Sequence, residues 1–338
     1  MGHVCHAARV ALAGALAVVL ACATAGCGCT GGADAEGALP VGDASGYADG
    51  SASASAPQVF TDDVGSTVSV DHPTRVVACM GSLAKMWELA GGTLVGASDD
   101  AFANYGIDAS GVARIGDFSE PSLEAIIALS PDFVIMTSGT GGRGKDTSQL
   151  GLKEALEASG ISVAYFEVTT FDDYLRVLRA FCDITGRDDQ YERFGAAVSD
   201  RIDEIKAAVP AGSAPTALVM TTYSGGVRVQ DSSTMTGAML ADLGVRNLAD
   251  ENASLLKDFS FESLVALDPD YLFVVPMGND AEAAQRNLGE TLAANPAWNT
   301  LSAVRNGRCT MLDADLFLYK PNERWAESYE TLYGCLYG

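Results

Sequence analysis

One segment of fourteen residues occurs twice in the sequence, first as Ser122-Leu-Glu-Ala-Ile-Ile-Ala-Leu-Ser-Pro-Asp-Phe-Val-Ile135 and again as Ser260-Phe-Glu-Ser-Leu-Val-Ala-Leu-Asp-Pro-Asp-Tyr-Leu-Phe273. Six of the fourteen aligned positions are identical, and most of the others exchange one apolar residue for another. Each copy predicts a helix that begins with a serine cap and an early acid, stops at a proline and leads into an apolar strand. Two such units in one chain predict two similar α/β lobes.

Length and charge narrow the classes of function. A chain of 338 residues, of which 48% are hydrophobic, is long enough for two domains. The formal net charge of −23 argues against nucleic acid as a partner, because phosphate binding needs a basic face. The same charge argues against electrostatic attachment to anionic lipid, but it leaves open a locally basic pocket for a small ligand.

The N-terminal residues predict an exported lipoprotein. Arg9 precedes the apolar run 10–21, which is too short to span a bilayer and has the form of a signal-peptide core. The contexts of Cys22 and Cys27 both match the motif at which a cysteine is diacylated and becomes the mature N-terminus. We favour Cys27 as the lipid anchor, after a signal peptide of residues 1–26. Cys22 is the second choice, and an ordinary secretory signal is the alternative.

The rest of the chain divides into a tether and two lobes. Residues 27–57 consist largely of Gly, Ala, Ser and Asp, which predicts a flexible tether. Residues 58–187 and 211–338 predict an N-terminal and a C-terminal α/β lobe. In both, strands and helices alternate, which favours a central, mostly parallel sheet.

Residues 188–210 predict one helix that joins the lobes. A helix of about twenty residues is about 30 Å long, which is the width of a small domain. Its position between the two copies of the repeat favours a rigid connection, with the ligand cleft between the lobes. The alternative is one more helix packed on a single lobe.

Two motifs could indicate an enzyme. The loop from Gly139 to Lys145 fits both G-x-G-x-x-G and G-x-x-x-x-G-K, but Asp146 stands where a P-loop has Ser or Thr. The next helix is expected to begin several residues later, so its N-terminus would not meet a phosphate. A nucleotide-dependent enzyme that uses this loop is therefore a remote alternative. His72 is the only histidine after the signal peptide, which excludes a three-histidine metal site.

Four cysteines fall within the predicted lobes: Cys79, Cys182, Cys309 and Cys335. None of them forms a C-x-x-C pair, which argues against a thiolate metal site or a redox motif. A Cys309–Cys335 disulfide and buried free thiols both remain open at this stage.

Glu124 and Glu262 stand at the same position in the two copies of the repeat. An acid in the first turn of a helix complements the helix dipole, which stabilises the helix by about 0.3–1 kcal/mol. Two lobes that present one acid each would also suit a two-fold partner with matched basic residues.

A series of motifs with a specific order and spacing extends from about Val59 to the C-terminus. The motifs are Asp63-x-Gly65 before Pro73-x-Arg75-Val-Val, Leu89-Ala-Gly-Gly-x-x-Val-Gly96, Glu120-Pro-Ser-Leu-Glu-Ala-Ile-x-Ala-Leu-x-Pro-Asp132, Gly186-Arg187 before the long helix, and Leu243-Gly244 followed by Asn247. In these motifs the sequence resembles the iron-complex and vitamin B12 class of periplasmic-type substrate-binding proteins of ABC importers.

The resemblance implies a lipid-anchored receptor on the outer face of the membrane, and not an enzyme. Such a receptor binds a small metal chelate between its lobes and delivers it to a permease dimer with ATPase subunits. Glu124 and Glu262 would dock on arginines of the two permease subunits. A helical linker implies a rocking motion with limited closure. We expect a monomer without a cofactor of its own, although its ligand can contain iron or cobalt.

The ligand pocket is expected at the carboxyl ends of the strands, where the lobes face each other. The candidate ligand-binding residues from the two lobes are Met80, Ser82, Phe102, Phe118, Tyr223, Ser224, Phe317, Tyr319 and Lys320. An iron complex, either a ferric siderophore or haem, is favoured because it is the commonest cargo of the family. Cobalamin or another corrinoid is the alternative, since Phe118, Tyr223 and Phe317 could form aromatic walls.

Overall fold

A computed structural model of the chain describes residues 56–139, 148–223, 226–257, 259–277 and 294–338. Both candidate anchor cysteines, the predicted signal peptide and nearly all of the predicted tether lie outside these residues, and so does the loop at 140–147. The described residues belong to one compact unit, Ala54–Gly338. Among them, no helix has the length and apolar character needed to span a membrane.

The first lobe is built on a five-stranded parallel sheet. Its elements are β1 (Gln58–Thr61), β2 (Thr67–Val70), β3 (Val76–Ala78), α1 (Gly81–Leu89), β4 (Leu94–Ala97), α2 (Asp99–Asn104), β5 (Ala113–Arg114), α3 (Leu123–Ala128), β6 (Phe133–Met136), a 3-10 turn (Ser148–Leu152), α4 (Lys153–Ala158), β7 (Ser162–Tyr165) and α5 (Phe171–Thr185). β1 and β2 form an antiparallel hairpin, and the sheet has the order β5-β4-β3-β6-β7. The helix after the Gly-rich loop begins well beyond the glycines, as predicted.

The segment between the two sheets is helical from Asp188 to Ala207, as the sequence predicts. It consists of α6 (Asp188–Tyr191), a π-helical turn (Glu192–Ala196) and α7 (Ala197–Ala207). The π-helical turn was not predicted. Gly195 lies within it, and a Cβ atom at this position would come within 3.1 Å of the Tyr191 ring. The exact boundaries of the lobes stay a prediction.

The second lobe repeats the architecture of the first. Its elements are β8 (Thr216–Tyr223), β9 (Gly226–Gln230), α8 (Met235–Asp242), β10 (Arg246–Asn247), α9 (Ala253–Lys257), α10 (Phe261–Leu267), β11 (Tyr271–Pro276), a 3-10 turn (Pro296–Thr300), α11 (Ser302–Arg305), β12 (Cys309–Met311), α12 (Ala314–Phe317), a 3-10 turn (Asn322–Arg324) and α13 (Trp325–Tyr337). The strands have the parallel order β10-β8-β11-β12, and β9 pairs antiparallel with β8. The predicted class of two α/β lobes with mostly parallel sheets is confirmed.

The two copies of the repeat adopt the same local structure. The first copy forms α3 and β6, and the second forms α10 and β11. The side chains of Ser122 and Ser260 each accept a hydrogen bond from the backbone three residues later and so cap the two helices. Each copy also places a residue with positive φ directly before its proline, Ser130 at 47° and Asp268 at 40°. The helix therefore stops at the same position in both lobes.

An aspartate after each proline ties the repeat to the neighbouring strand. The Asp132 carboxylate accepts hydrogen bonds from the backbone N–H groups of Thr74 (2.8 Å) and Arg75 (3.0 Å). The Asp270 carboxylate accepts from the backbone N–H (2.9 Å) and the hydroxyl (2.7 Å) of Thr216. These hydrogen bonds hold the pKa of Asp270 below its ordinary value, against the opposing effect of burial. The repeat thus encodes the helix, the strand and the attachment of that strand to its neighbour.

Replacement of Asp270 by asparagine should lower the free energy of unfolding at neutral pH by about 1–2 kcal/mol, because a neutral amide accepts weaker hydrogen bonds than a carboxylate. The folded pKa of Asp270 lies below the ordinary value of 3.8. The carboxylate therefore makes its full contribution to the free energy of unfolding at pH values above 3.8. The wild type loses this contribution as the pH falls through the folded pKa. Urea unfolding at neutral and at acidic pH measures the difference in the free energy of unfolding between the wild type and the variant. This difference should become smaller in acid. The control variant Asp203→Asn, at an exposed position of α7, should have nearly the wild-type free energy of unfolding at either pH. An equal loss of stability for Asp270→Asn at both pH values would contradict the role of the Asp270 carboxylate.

Alternate residues of each sheet enter different cores. In the first lobe, Val76 and Phe133 belong to the largest cluster, whereas Val77 and Val134 belong to a separate cluster on the other face. The second sheet divides in the same way between the largest cluster and a cluster of its own. The largest cluster therefore contains one face of both sheets, together with side chains of α5, α7 and α13. The lobes share a hydrophobic core, which favours small rocking motions over wide opening.

The four described cysteines are free thiols. Cys309 packs against the cluster confined to the second lobe, whereas Cys335 packs against the shared core. Because these clusters lie on opposite faces of the second sheet, the two thiols are separated by the sheet. The sequence left open a Cys309–Cys335 disulfide or free thiols, and in the structure both residues are free thiols.

Candidate functional site

The carboxyl ends of β3 and β4 meet in a compact polar corner. The Asp100 carboxylate accepts hydrogen bonds from the Gly81 backbone N–H (2.9 Å) and the Ser98 hydroxyl (2.6 Å). Burial raises the pKa of Asp100, and these two hydrogen bonds partly offset the effect. A Cβ atom at Gly81 would lie 2.6 Å from the Tyr105 ring, so only glycine lets α1 and α2 approach this closely. Met80, a predicted ligand residue, directly precedes α1 and is half-buried.

Two predicted aromatic ligand residues lie on the same edge of the first sheet. Phe102 is half-buried in α2, and the guanidinium carbon of Arg114 lies 4.3 Å from the centre of its ring. A guanidinium nitrogen of Arg114 also forms an ion pair with the Asp99 carboxylate at 3.0 Å. Phe118 is half-buried in the loop after β5. The first lobe thus presents aromatic rings together with a cation that is already paired.

The predicted residues of the second lobe are spread over two segments. Tyr223 ends β8 and is half-buried, and Ser224 lies outside the described residues. Phe317 ends α12 and is only 2% exposed, so its ring packs in the shared core and not on an open surface. Tyr319 and Lys320 follow α12 and are half-buried. Of the predicted ligand residues in this lobe, Tyr319 and Lys320 make polar or ring contacts with the first lobe.

Residues 319–322, which follow α12, contact the first lobe through two hydrogen bonds and one aromatic pair. The Lys320 backbone N–H donates to the Tyr105 hydroxyl at 3.1 Å, and the rings of Tyr105 and Tyr319 meet edge to face at 6.4 Å. The Asn322 side-chain amide donates to the Ser82 carbonyl at 3.3 Å. We call the residues Ser82, Tyr105, Tyr319, Lys320 and Asn322 the lobe junction. Three of them, Ser82, Tyr319 and Lys320, are predicted ligand residues. Sequence reasoning did not identify Asn322, since no local motif marks it.

Lys320, whose backbone belongs to the lobe junction, carries an ammonium group on its side chain. Burial lowers its pKa to about 8, and the nearby carboxylates of Glu167 and Asp173 oppose this shift. The side chain is therefore mostly charged at neutral pH and becomes neutral in mildly alkaline solution. A partly desolvated ammonium group binds an anion more strongly than an exposed one does, because the local dielectric constant is lower.

The predicted docking acids lie on the helices of the repeat. Glu124 is in the first turn of α3 and Glu262 is in the first turn of α10, and both are exposed. The Ser260 hydroxyl donates to the Glu262 carboxylate at 3.0 Å. The two acids occupy equivalent positions on two lobes of the same architecture. Their exposure leaves both carboxylates accessible to a partner.

The geometry defines a class of protein. Two parallel-sheet lobes are joined by one helical segment and meet at a junction of polar and aromatic side chains. In the described part of the chain, no three His, Cys, Asp or Glu residues cluster to hold a metal ion. This is the architecture of a two-lobed binding protein for a small ligand.

The chain belongs to the periplasmic binding protein family, whose sequence pattern matches residues 76–316. It is a substrate-binding protein of the kind that serves ABC importers, and not an enzyme. The prediction of this class is confirmed. Membership of this family gives no support to the alternative of a nucleotide-dependent enzyme that uses the loop beginning at Gly139. An extracytoplasmic location fits the membership.

Similar proteins share most of the chain. The Fe(3+)-citrate-binding protein YfmC of Bacillus subtilis (strain 168) is 26% identical over 271 residues, which cover 76% of this chain and 79% of the relative. S. aureus IsdE complexed with heme has a TM-score of 0.63 at 18% identity and covers 78% of this chain and 99% of its own. The periplasmic vitamin B12 binding protein BtuF of Vibrio cholerae has a TM-score of 0.62 at 16% identity, and the match covers 78% of this chain and 96% of the BtuF chain. The two structures share the fold of this chain.

Proposed function

We propose that the protein is the extracytoplasmic, lipid-anchored receptor of an ABC importer and that it binds an iron complex between its lobes. The observation that carries the proposal is the lobe junction, where the backbone N–H of Lys320 donates to the Tyr105 hydroxyl and the rings of Tyr105 and Tyr319 meet edge to face. A ferric chelate with carboxylate or catecholate donors is anionic and would be held by the ammonium group. A tyrosine hydroxyl is also a known axial ligand of haem iron. The name of the similar B. subtilis protein agrees with an iron complex as ligand.

A corrinoid is the second candidate. Phe102, Phe118 and Tyr319 are half-buried aromatic residues at or near the junction, and they could stack on a large flat ligand. A neutral corrinoid would gain little from Lys320. The two candidates therefore differ in how far binding depends on charge.

A titration distinguishes these ligands. The purified protein is titrated with ferric citrate, a ferric catecholate siderophore, haem and cyanocobalamin, following tryptophan fluorescence and the visible spectra of the ligands. We expect an iron complex to bind with Kd below about 10 µM. Tight binding of cyanocobalamin alone would favour the second candidate, and no binding of any of the four would contradict the proposal.

The membrane attachment and the partners form part of the same proposal. Acylation of Cys27, or of Cys22, would tether the lobes at the outer face of the membrane. The receptor would act there as a monomer that docks on a permease dimer with its ATPase subunits. The intact mass of the protein extracted from membranes reports the acylated cysteine, and an unmodified, freely secreted chain would contradict the anchor.

The affinity for an anionic iron complex should fall as the pH rises through and above about 8, because Lys320 loses its charge there. Lys320→Met should weaken ferric citrate binding at neutral pH by about tenfold and remove this pH dependence. Lys257→Met, at an exposed position on α9, is the matched control. It should change neither the affinity for ferric citrate nor its pH dependence. Wild-type affinity that stays constant from neutral to alkaline pH would rule out Lys320 as an anion ligand.

A further inference from the structure

Gln149 is a fully buried polar side chain that the function described so far does not use. It lies in the 3-10 turn that precedes α4, and its exposed fraction is 0%. Its side-chain amide donates to the carbonyl oxygens of Cys79 at 2.9 Å and Phe118 at 2.6 Å. Its side-chain oxygen accepts from the Thr137 backbone N–H at 2.9 Å. Both donors and the acceptor of the amide are therefore bound to backbone groups of three other segments.

These three backbone groups lie at the ligand edge of the first sheet. Cys79 directly follows β3, and Thr137 directly follows β6, which is the parallel neighbour of β3. Phe118 belongs to the loop after β5 at the far edge of the sheet. Cys79 adjoins the predicted ligand residue Met80, and Phe118 is itself a predicted ligand residue. One side chain thus fixes the spacing of three loops that form the first-lobe wall of the cleft.

Gln149 is itself held in place from the other side. Its backbone carbonyl accepts a hydrogen bond from the Tyr165 hydroxyl at 2.8 Å, and Tyr165 is fully buried at the end of β7. The connection therefore extends across the sheet from β7 through Gln149 to the loop after β5. A bridge of this kind keeps the wall in one geometry before the ligand arrives, which reduces the loss of entropy on binding.

We propose that Gln149 is a positioning residue that sets the shape and the ligand specificity of the first-lobe wall by holding the Phe118 loop against the ends of β3 and β6. The inference rests on the proposed function for its effect on ligand binding. Its effect on the loops themselves is independent of which ligand is bound.

The chemistry of the site requires an amide. Two carbonyl oxygens need donors, and one backbone N–H needs an acceptor, which a neutral glutamine satisfies. A glutamate carboxylate at this position would face the two carbonyl oxygens without a donor, and only its protonated form could donate one hydrogen bond. Methionine has a similar length and shape but leaves all three backbone groups without partners.

The experiment compares Gln149→Met and Gln149→Glu with the wild type in the full chain. The probes are ferric citrate, haem and cyanocobalamin, and the second measurement is amide hydrogen exchange of the ligand-free protein. Gln190→Glu in α6 is the matched control, because Gln190 lies on the interlobe helix, away from the ligand edge of the sheet.

We expect Gln149→Met to raise the Kd of the bound probe by about tenfold or more. Exchange should accelerate at Thr137 and in the peptide that contains Phe118, whereas β8 in the other lobe should stay protected. For Gln149→Glu, the affinity relative to the wild type should rise as the pH falls, because protonation restores a donor. Gln190→Glu should show none of these changes.

The outcomes separate this inference from the proposed function. Unchanged exchange at Thr137 and around Phe118 in both variants would overturn the positioning role, whatever binds. Faster exchange across the whole chain would also overturn it, since it would indicate a general loss of stability. If neither these three probes nor the ferric catecholate siderophore binds the wild type, the ligand proposal fails, and the local exchange pattern alone decides the role of Gln149.

Discussion

Replacement of Glu124 and Glu262 together by arginine should abolish uptake of the iron complex, while the affinity of the isolated receptor for that complex stays unchanged. Both carboxylates are exposed and stand in the first turns of equivalent helices, one in each lobe. A dimeric permease that meets both lobes would find one acid on each. Reversal of both charges would place like charges opposite each other at two points of the interface, which costs several kcal/mol of binding free energy.

The measurement combines transport of the radioactive iron complex into cells with titration of the purified receptor. The matched control is Glu154→Arg with Glu192→Arg, since it makes the same change in net charge at two other exposed acids. Control cells should retain uptake. A fall in ligand affinity in the Glu124 and Glu262 variant would mean that these acids belong to the pocket or to the fold, and not to a docking surface.

Replacement of Trp325 by alanine should lower the free energy of unfolding by about 3–5 kcal/mol, which is the usual range for loss of a large buried side chain. Trp325 is 1% exposed at the start of α13. Its ring packs against Phe171 and Tyr174 of α5, with ring centres 5.8 Å and 6.4 Å away. Its indole N–H has no hydrogen-bond partner in the described part of the chain. The predicted loss is therefore one of packing.

The position of Trp325 makes the result informative about both lobes. α5 belongs to the first lobe, whereas α13 ends the second, so the substitution opens a cavity in the core that they share. Hydrogen exchange should accelerate on both sides of this core, alongside the loss measured by urea unfolding. The matched control is Trp298→Ala, since Trp298 lies in the cluster confined to the second lobe. If both substitutions accelerated hydrogen exchange only in the second lobe, the result would contradict a core shared by the two lobes.

The local structure of this protein was largely predictable. Helix caps, prolines and apolar runs act over a few residues, so the structure of the repeat and the long helical segment could both be derived before the fold was known. The elements that were not predicted are short ones such as α2, β5 and β9. They depend on their neighbours in space, because two to six residues carry too little periodicity to indicate a structure.

The site was predictable in part. The rule that ligands bind at the carboxyl ends of parallel strands placed Ser82, Tyr319 and Lys320 among the candidates, and the structure brings these three together at the lobe junction. The same rule named Phe317, whose ring lies in the core, because the short helix α12 turns it inward. Gln149 gave no signal at all, since a lone glutamine in a loop region is usually a solvated residue.

The sequence by itself determined the two lobes, the helix between them and the class of protein, because the repeat and the family motifs are local patterns. Only the tertiary structure decided which residues meet. The Lys320 backbone reaches Tyr105 across 215 residues, and the Gln149 amide reaches Cys79 across 70. The sheet separates Cys309 from Cys335 although they are near in the chain. Such pairings depend on how the two sheets pack against one shared core, and no pattern of neighbouring residues specifies that packing.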